Sequence, residues 1–267
     1  MNFSISNIAW AEKDDEIVYK LMKQYGFTGL EIAPTRFFSQ NPYEHLAEAR
    51  ALTGKLSSEK GLEISSLQSI LFGRNERIFE NSEQREFIID YLFKAIDFAA
   101  VMQCKNLVFG SPRNRFINGP EDYRIAVEFF ETLGDYAYKN GTIISIEANP
   151  AIYGTNFINN TNEAVEIAKD VNSKGFKVNL DIGTVLINGE DIKKIRDLFE
   201  YVNHVHISEP DLLPIESREE HKTLVDLCRE KGFEGFISIE MKKSEEHNLE
   251  NIEKAMQYIC EVFQAIR

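Results

Sequence analysis

The sequence predicts an α/β protein, a (β/α)8 TIM barrel formed as a single domain by residues 1–267. Three observations predict it. Short β-branched runs alternate with longer amphipathic segments from end to end, the β-rich runs number eight, and a glycine repeatedly separates a helical pattern from the next strand. About 250 residues is the usual size of such a barrel in one unit, and no Ser/Pro-rich linker or low-complexity segment divides the chain.

In order, the expected strands are Asn2–Ile8, Gly29–Ala33, Glu63–Ile70, Asn106–Phe109, Thr142–Glu147, Lys177–Asp181, Val202–Ser208 and Gly235–Glu240. Among the helices between them, the clearest pattern is Phe87, Ile88, Tyr91, Leu92, Ala95, Ile96 and Ala99. The last is Ile252, Ala255, Met256, Ile259 and Phe263. Start signals are Asn81 ahead of Gln84, Gly119-Pro120 with Pro at a first helical position, and Ser217 ahead of Glu220 as a capping box. Stop signals are Gly26, Gly61, Gly141, Gly175 and Gly232, each expected in the left-handed position that ends a helix just before a strand. An open doubly wound sheet is the alternative. It typically has fewer strands, and neither GxGxxG nor GxxxxGK[ST] follows the first one.

Composition narrows the partners. The net charge of −13, from 43 acidic and 30 basic residues, speaks against a nucleic-acid partner, because a phosphate backbone attracts Lys/Arg-rich faces. A local Arg cluster still leaves room for a small anionic substrate. Cys104, Cys228 and Cys260 are scattered and lack CxxC spacing, as expected of reduced thiols in a cytoplasmic protein. No stretch approaches the ~18 apolar residues that span a bilayer, so no membrane association is expected.

In a barrel of this class, reactive groups lie at the C-terminal strand ends and in the loops that follow. The stretch TIISIEANP (Thr142–Pro150) runs apolar into a lone carboxylate, Glu147, before Asn149-Pro150 turns the chain away. The pattern recurs three times: FKVNLDIG ends at Asp181, YVNHVHIS carries His206 and GFISIEMK ends at Glu240. On neighbouring parallel strands, two Glu, one Asp and one His converge on one point. Such an oxygen-rich set suits Mn2+ or Mg2+, with Co2+ and Zn2+ as further options. His204 shares a strand face with His206, so either imidazole qualifies as the ligand. Other strand ends offer Asn7, Glu31, Gln68, Ser111 and Asn149, a polar rim suited to a polyhydroxylated small molecule. Arg113 and Arg115 in FGSPRNR are placed to take a substrate phosphate or carboxylate, and Trp10, Phe37 and Phe72 to form apolar walls.

The motifs IEANP, LDIGT, HVHIS and SIEM, in that order and roughly 25 to 35 residues apart, resemble the xylose-isomerase-like barrel superfamily. With NIAW and GLEIAP the resemblance covers essentially the whole chain. That superfamily includes sugar isomerases, ketose 3-epimerases, inosose dehydratases and an endonuclease branch. The resemblance implies that Glu147, Asp181, His206 and Glu240 hold one divalent metal ion, and that Glu147 and Glu240 move the substrate proton as the catalytic pair. It selects His206 over His204 as the ligand.

Two departures stand out. The family's D-x-x-H after strand 6 reads Asp181-Ile182-Gly183-Thr184 here, and the loop after strand 7 is SEPDLLPIESREEH. His221, at the end of that loop, is the expected substitute for the missing imidazole in substrate binding. The endonuclease branch is disfavoured, since its metal cluster needs many His and this chain has five.

The expected reaction is isomerisation or epimerisation of a sugar or sugar phosphate. A divalent ion bridging a carbonyl and its neighbouring hydroxyl acidifies the C–H between them and stabilises the enediolate that forms. A carboxylate removes the proton and another returns it. Return to the same carbon epimerises, return to its neighbour isomerises, and loss of a β-hydroxyl dehydrates. The alternatives are therefore a lyase of the inosose or dehydroshikimate dehydratase type and a non-catalytic sugar-binding barrel. Oligomeric state stays open, a homo-oligomer being one option.

Overall fold

The structure, a computed structural model, describes residues 1–264. Eight strands run β1 Asn2–Ser6, β2 Gly29–Ile32, β3 Glu63–Leu67, β4 Leu107–Phe109, β5 Ile144–Glu147, β6 Phe176–Asp181, β7 Val202–Ile207 and β8 Phe236–Ile239. Every neighbouring pair is parallel, and β8 pairs with β1 to close the barrel in chain order. The helices are α1 Asp15–Tyr25, α2 Leu46–Lys55, α3 Ser82–Val101, α4 Asp122–Lys139, α5 Thr161–Val171, α6 Ile182–Asn188, α7 Glu219–Glu230 and α8 Asn248–Gln264. All eight expected strands are present, their ends displaced by up to three residues. Among the described residues no helix is long and apolar enough to cross a membrane.

Period-two alternation divides each strand between two environments. Ile144 and Ile146 of β5, Val205 and Ile207 of β7 and Ile237 and Ile239 of β8 join the apolar core formed with the helices. Aromatic residues thicken that layer, as where Phe109 meets Phe129 and Phe130 edge-on. The alternate positions are polar and buried: Ser145 and Glu147, His204 and His206, Ser238 and Glu240. Buried polar groups need partners, and the strands supply them to one another. Asn106 donates to the Ser66 hydroxyl, while its carbonyl accepts from Ser145 and Asn203.

Two register shifts matter to the site. Val178 pairs with Val202 but Asn179 with His204, so the ladder skips Asn203. That bulge sets Asp181 beside His206 and Asn179 beside His204. A second shift, between Leu30 and Glu31 on β2, seats Glu31 opposite Ser66.

The helix ends bear out most of the expected signals. Asn81 Oδ1 accepts from the Gln84 amide at 2.9 Å at the start of α3, and Gly26, Gly61, Gly141 and Gly232 are left-handed. Gly175 is not. Asn172, at φ 49°, caps α5, and Gly175 serves close packing instead, since a Cβ there would stand 2.0 Å from the Gly134 carbonyl of α4. Nor do Ser217 and Glu220 form a capping box. Arg218 occupies the position before α7, where its amide donates to the Tyr258 hydroxyl. Pro120 lies in the turn ahead of α4, which starts at Asp122.

Candidate metal centre and substrate cavity

Glu147, Asp181, His206 and Glu240 each offer a ligand atom within 4.8 Å of the others; Glu147, His206 and Glu240 are buried and Asp181 is half-buried. His206 Nδ1 faces this cluster, 3.0 Å from Glu147 Oε2 and 3.2 Å from Glu240 Oε2. Among the described residues no Lys or Arg pairs with any of the three carboxylates. Burial, with the Glu147 charge second, pushes the Asp181 carboxyl up to about 6. Burial likewise pushes Glu240 up to about 7, against the pull of His206 and with Glu147 and Glu31 adding to the rise. Burial opposes a charge on His206 too, but Glu240, Glu31 and Glu147 outweigh it and hold that imidazole well above its usual pKa. Three carboxylates gathered round one imidazole, with no Lys or Arg among the described residues to balance them, form a donor set that fits a divalent cation.

His206 is oriented from behind. Its Nε2 donates to Glu31 Oε2 at 3.0 Å, and His204 Nε2 donates to the same oxygen at 3.0 Å. Glu31 is fully buried. Burial favours its neutral form, yet the two imidazoles, His206 foremost, hold it well below the ordinary carboxylate range. A proton kept on Nε2 leaves Nδ1 free to face the cluster. Desolvation lowers the His204 pKa despite Glu31, so His204 is the neutral member.

Several side chains hold the carboxylates in place. Asn179 donates from Nδ2 to Glu147 Oε2, with His206 Nδ1 3.1 Å away. The Ser208 hydroxyl donates to Asp181 Oδ2, while Asp181 Oδ1 accepts from the Thr184 amide as the cap of α6. Asn149 Nδ2 donates to Glu147 Oε1 at 3.3 Å. Asn179 and Ser208 lie two residues from Asp181 and His206 on the same strand faces, so alternation alone contained the signal for both. Gly110 carried none. A Cβ there would stand 2.7 Å from Glu147 Oε1, the far end of a flexible side chain. Gly110→Ala is therefore expected to leave the melting temperature nearly unchanged but to lower Mn2+ affinity by roughly 10–100-fold, measured by metal titration and thermal unfolding. Unchanged metal binding would show that Glu147 accommodates the methyl group.

Two cavities open on the cluster. The larger, about 490 Å3, is lined by Gln68, Ser111, Arg113 and Phe72 among others, and by Glu147 and Glu240. The smaller, about 280 Å3, includes Asn149, Asp181, Thr184 and Asp211 and shares Glu147, Glu240 and Leu212 with the first. Of the expected residues, Gln68, Ser111, Arg113, Asn149 and Phe72 thus line the cavities that open on the cluster.

The other expected contacts do not. Asn7 lines neither cavity, its Oδ1 accepting from the Ala33 amide at 2.9 Å. Glu31 touches the histidines rather than a cavity. Arg115 is fully buried, its Nη2 donating to Asn149 Oδ1 at 2.7 Å, because its loop folds inward beneath Thr155. His221 points into the helical layer with Nδ1 3.1 Å from the Tyr258 hydroxyl, and burial pushes its pKa down to about 4. It does not replace the imidazole absent at Thr184, whose hydroxyl donates to the Ala148 carbonyl. Trp10 and Phe37 also lie outside both cavities, where each meets the Arg36 guanidinium.

The sequence matches the family model for the xylose isomerase-like TIM barrel over residues 19–262. The chain belongs to that family. No curated protein matches the sequence. Among solved structures sharing this family member's fold are sugar epimerases and a probable dehydratase. The 3-keto-D-glucoside 4-epimerase from E. coli aligns with 97% of this chain and 98% of its own, at 17% identity and a TM-score of 0.79. D-psicose 3-epimerase from Clostridium cellulolyticum H10, solved with D-tagatose, aligns over 100% and 99% at 15% identity and 0.80. The probable 3-DHS dehydratase of petrobactin synthesis from Bacillus anthracis aligns over 97% and 98% at 16% identity and 0.72. At these identities the likeness establishes the shared fold.

Proposed function

We propose that this barrel is a divalent-metal-dependent isomerase or epimerase of a sugar or sugar derivative, working as one unit along the whole chain. One observation carries the reading: Glu147 and Glu240 flank His206 Nδ1 and line both cavities, so a carbon held between them meets a carboxylate on either side. Glu147, Asp181, His206 and Glu240 are the residues that would hold the ion. When bound, it supplies positive charge that acidifies a C–H next to a carbonyl.

The protein's own part is proton transfer and positioning. One Glu takes the proton from carbon, and the other, protonated, delivers one to the opposite face. Asn149 and Asn179 each fix one oxygen of Glu147, which limits its rotation. Leu212, in the left-handed region at φ 53°, lines both cavities where they meet.

The test is solvent exchange. Metal-loaded protein in D2O, offered a panel of ketoses, aldoses and their phosphates, is expected to place deuterium at the carbon next to a carbonyl. Absence of exchange across the panel would remove the reading. A lyase on the same residues is the second reading, supported by the dehydratase of the same fold, and it would announce itself by an enone absorbance in place of an isomer.

A further inference from the structure

We propose that the substrate carries an anionic group, phosphate or carboxylate, at the end remote from the reacting carbon, and that Arg74 and Arg113 bind it. This rests on the reading of the Glu147/Glu240 site given above and adds the chemical class of its substrate.

The charges lining the larger cavity are segregated. Among the described residues its only acidic residues are Glu147 and Glu240, and its only basic residues are Arg74 and Arg113. The smaller cavity shares the two glutamates but neither arginine. The carboxylates therefore lie where the cavities meet, and the two arginines belong to the larger cavity alone. The topology agrees. The glutamates come from β5 and from the end of β8, whereas Arg74 and Arg113 come from the loops after β3 and β4.

Both arginines are uncommitted. Among the described residues neither has a carboxylate within ion-pair distance nor a side-chain hydrogen bond, and the Nε of Arg74 is buried without a partner. A buried donor without a partner costs stability unless a ligand takes it up.

Arg74 rests on an aromatic ring, Arg113 is exposed, and the loops that carry them are tied together. The Arg74 guanidinium lies 5.2 Å from the centroid of the Tyr91 ring. Asn114, next to Arg113, is buried and ties the two loops together. Its Nδ2 donates to the Glu76 carbonyl at 2.7 Å, and its own carbonyl accepts from the Ile78 amide at 2.9 Å. Loops free to drift would not need such a clamp. Ser69 and Ser111 line the same cavity and add hydroxyl donors of the kind that complete a phosphate or carboxylate site.

The experiment uses metal-loaded protein and matched ligands: D-fructose, fructose 6-phosphate and fructuronate, then D-ribulose and ribulose 5-phosphate. Calorimetric affinity and deuterium exchange are read for each, on the native protein and on the double variant R74Q/R113Q. At least one anionic ligand is expected to bind about tenfold or more tightly than its neutral partner. The double variant is expected to erase that preference while keeping metal content and melting temperature. Preference for the phosphates assigns the site to phosphate, and preference for fructuronate assigns it to carboxylate. Equal binding of neutral and anionic sugars, or a preference that survives in R74Q/R113Q, overturns the proposal. Exchange into neutral ketoses without anion preference would leave the isomerase reading standing alone. Arginine-dependent anion binding without exchange anywhere would retain the anion site and remove the reaction.

Discussion

Glu147→Gln and Glu240→Gln are each expected to lower turnover by roughly 10²–10⁴-fold, the range that a positioned acid or base contributes. Glutamine keeps the shape of glutamate but neither takes a proton from carbon nor returns one. The two variants are expected to differ in what survives. With Glu240 replaced, Glu147 still reaches one face, so a single epimer should exchange its proton slowly with solvent while net epimerisation stops. With Glu147 replaced, the other epimer should do so. Because both residues are also proposed to hold the ion, Mn2+ content must be measured beside exchange, and the comparison made at saturating metal. Either variant retaining full turnover would end the case for a two-carboxylate mechanism. Both variants losing exchange on both faces at full metal occupancy would reassign the glutamates to binding.

Glu31→Gln is expected to damage both stability and metal binding. The Glu31 carboxylate is fully buried and accepts from His204 and His206 through one oxygen. Breaking a buried charged pair by removing one partner typically costs about 3–5 kcal/mol. For a chain of this size a loss near ~3 kcal/mol corresponds to a melting temperature lower by roughly 6–12 °C. The amide also withdraws the negative charge that keeps the proton on His206 Nε2, so Mn2+ affinity should fall by about 10–100-fold. Thermal unfolding with and without Mn2+, together with metal titration, checks both effects. A variant that melts and binds metal like the native protein would show that the imidazoles are fixed by packing alone.

How much of this was legible beforehand differs from element to element. The eight strands and the order of Glu147, Asp181, His206 and Glu240 along them could be read because a buried strand is apolar until its polar end, a local pattern. Asn179 and Ser208 were within reach of the same alternation. Arg74 was not, since nothing local sets an arginine in the loop after β3 apart from any solvated charge. Arg115, two residues from Arg113, was expected to face a substrate. Its loop turns inward, and the guanidinium holds Asn149 instead.

His221 shows why a loop cannot be read by itself. A histidine at the far end of the loop after β7 is placed to return to the site, but where its ring goes depends on how α7 packs on α8, and Tyr258 receives it there. Gly175 misled for a related reason. Glycine before a strand reads as a helix stop, whereas here the constraint is the approach of α4, some forty residues away in sequence.

Local rules, set by side-chain alternation and chain punctuation, were enough for the barrel and for the residues that end its strands. Which strand-end groups face one another was decided by long-range registry. The skip at Asn203 aligns Asp181 with His206, the inward turn of Arg115 removes one cation from the cavity wall, and the clamp at Asn114 joins the loops that carry Arg74 and Arg113. Each of these arises between segments distant in sequence, where contact energies depend on closure of the whole barrel.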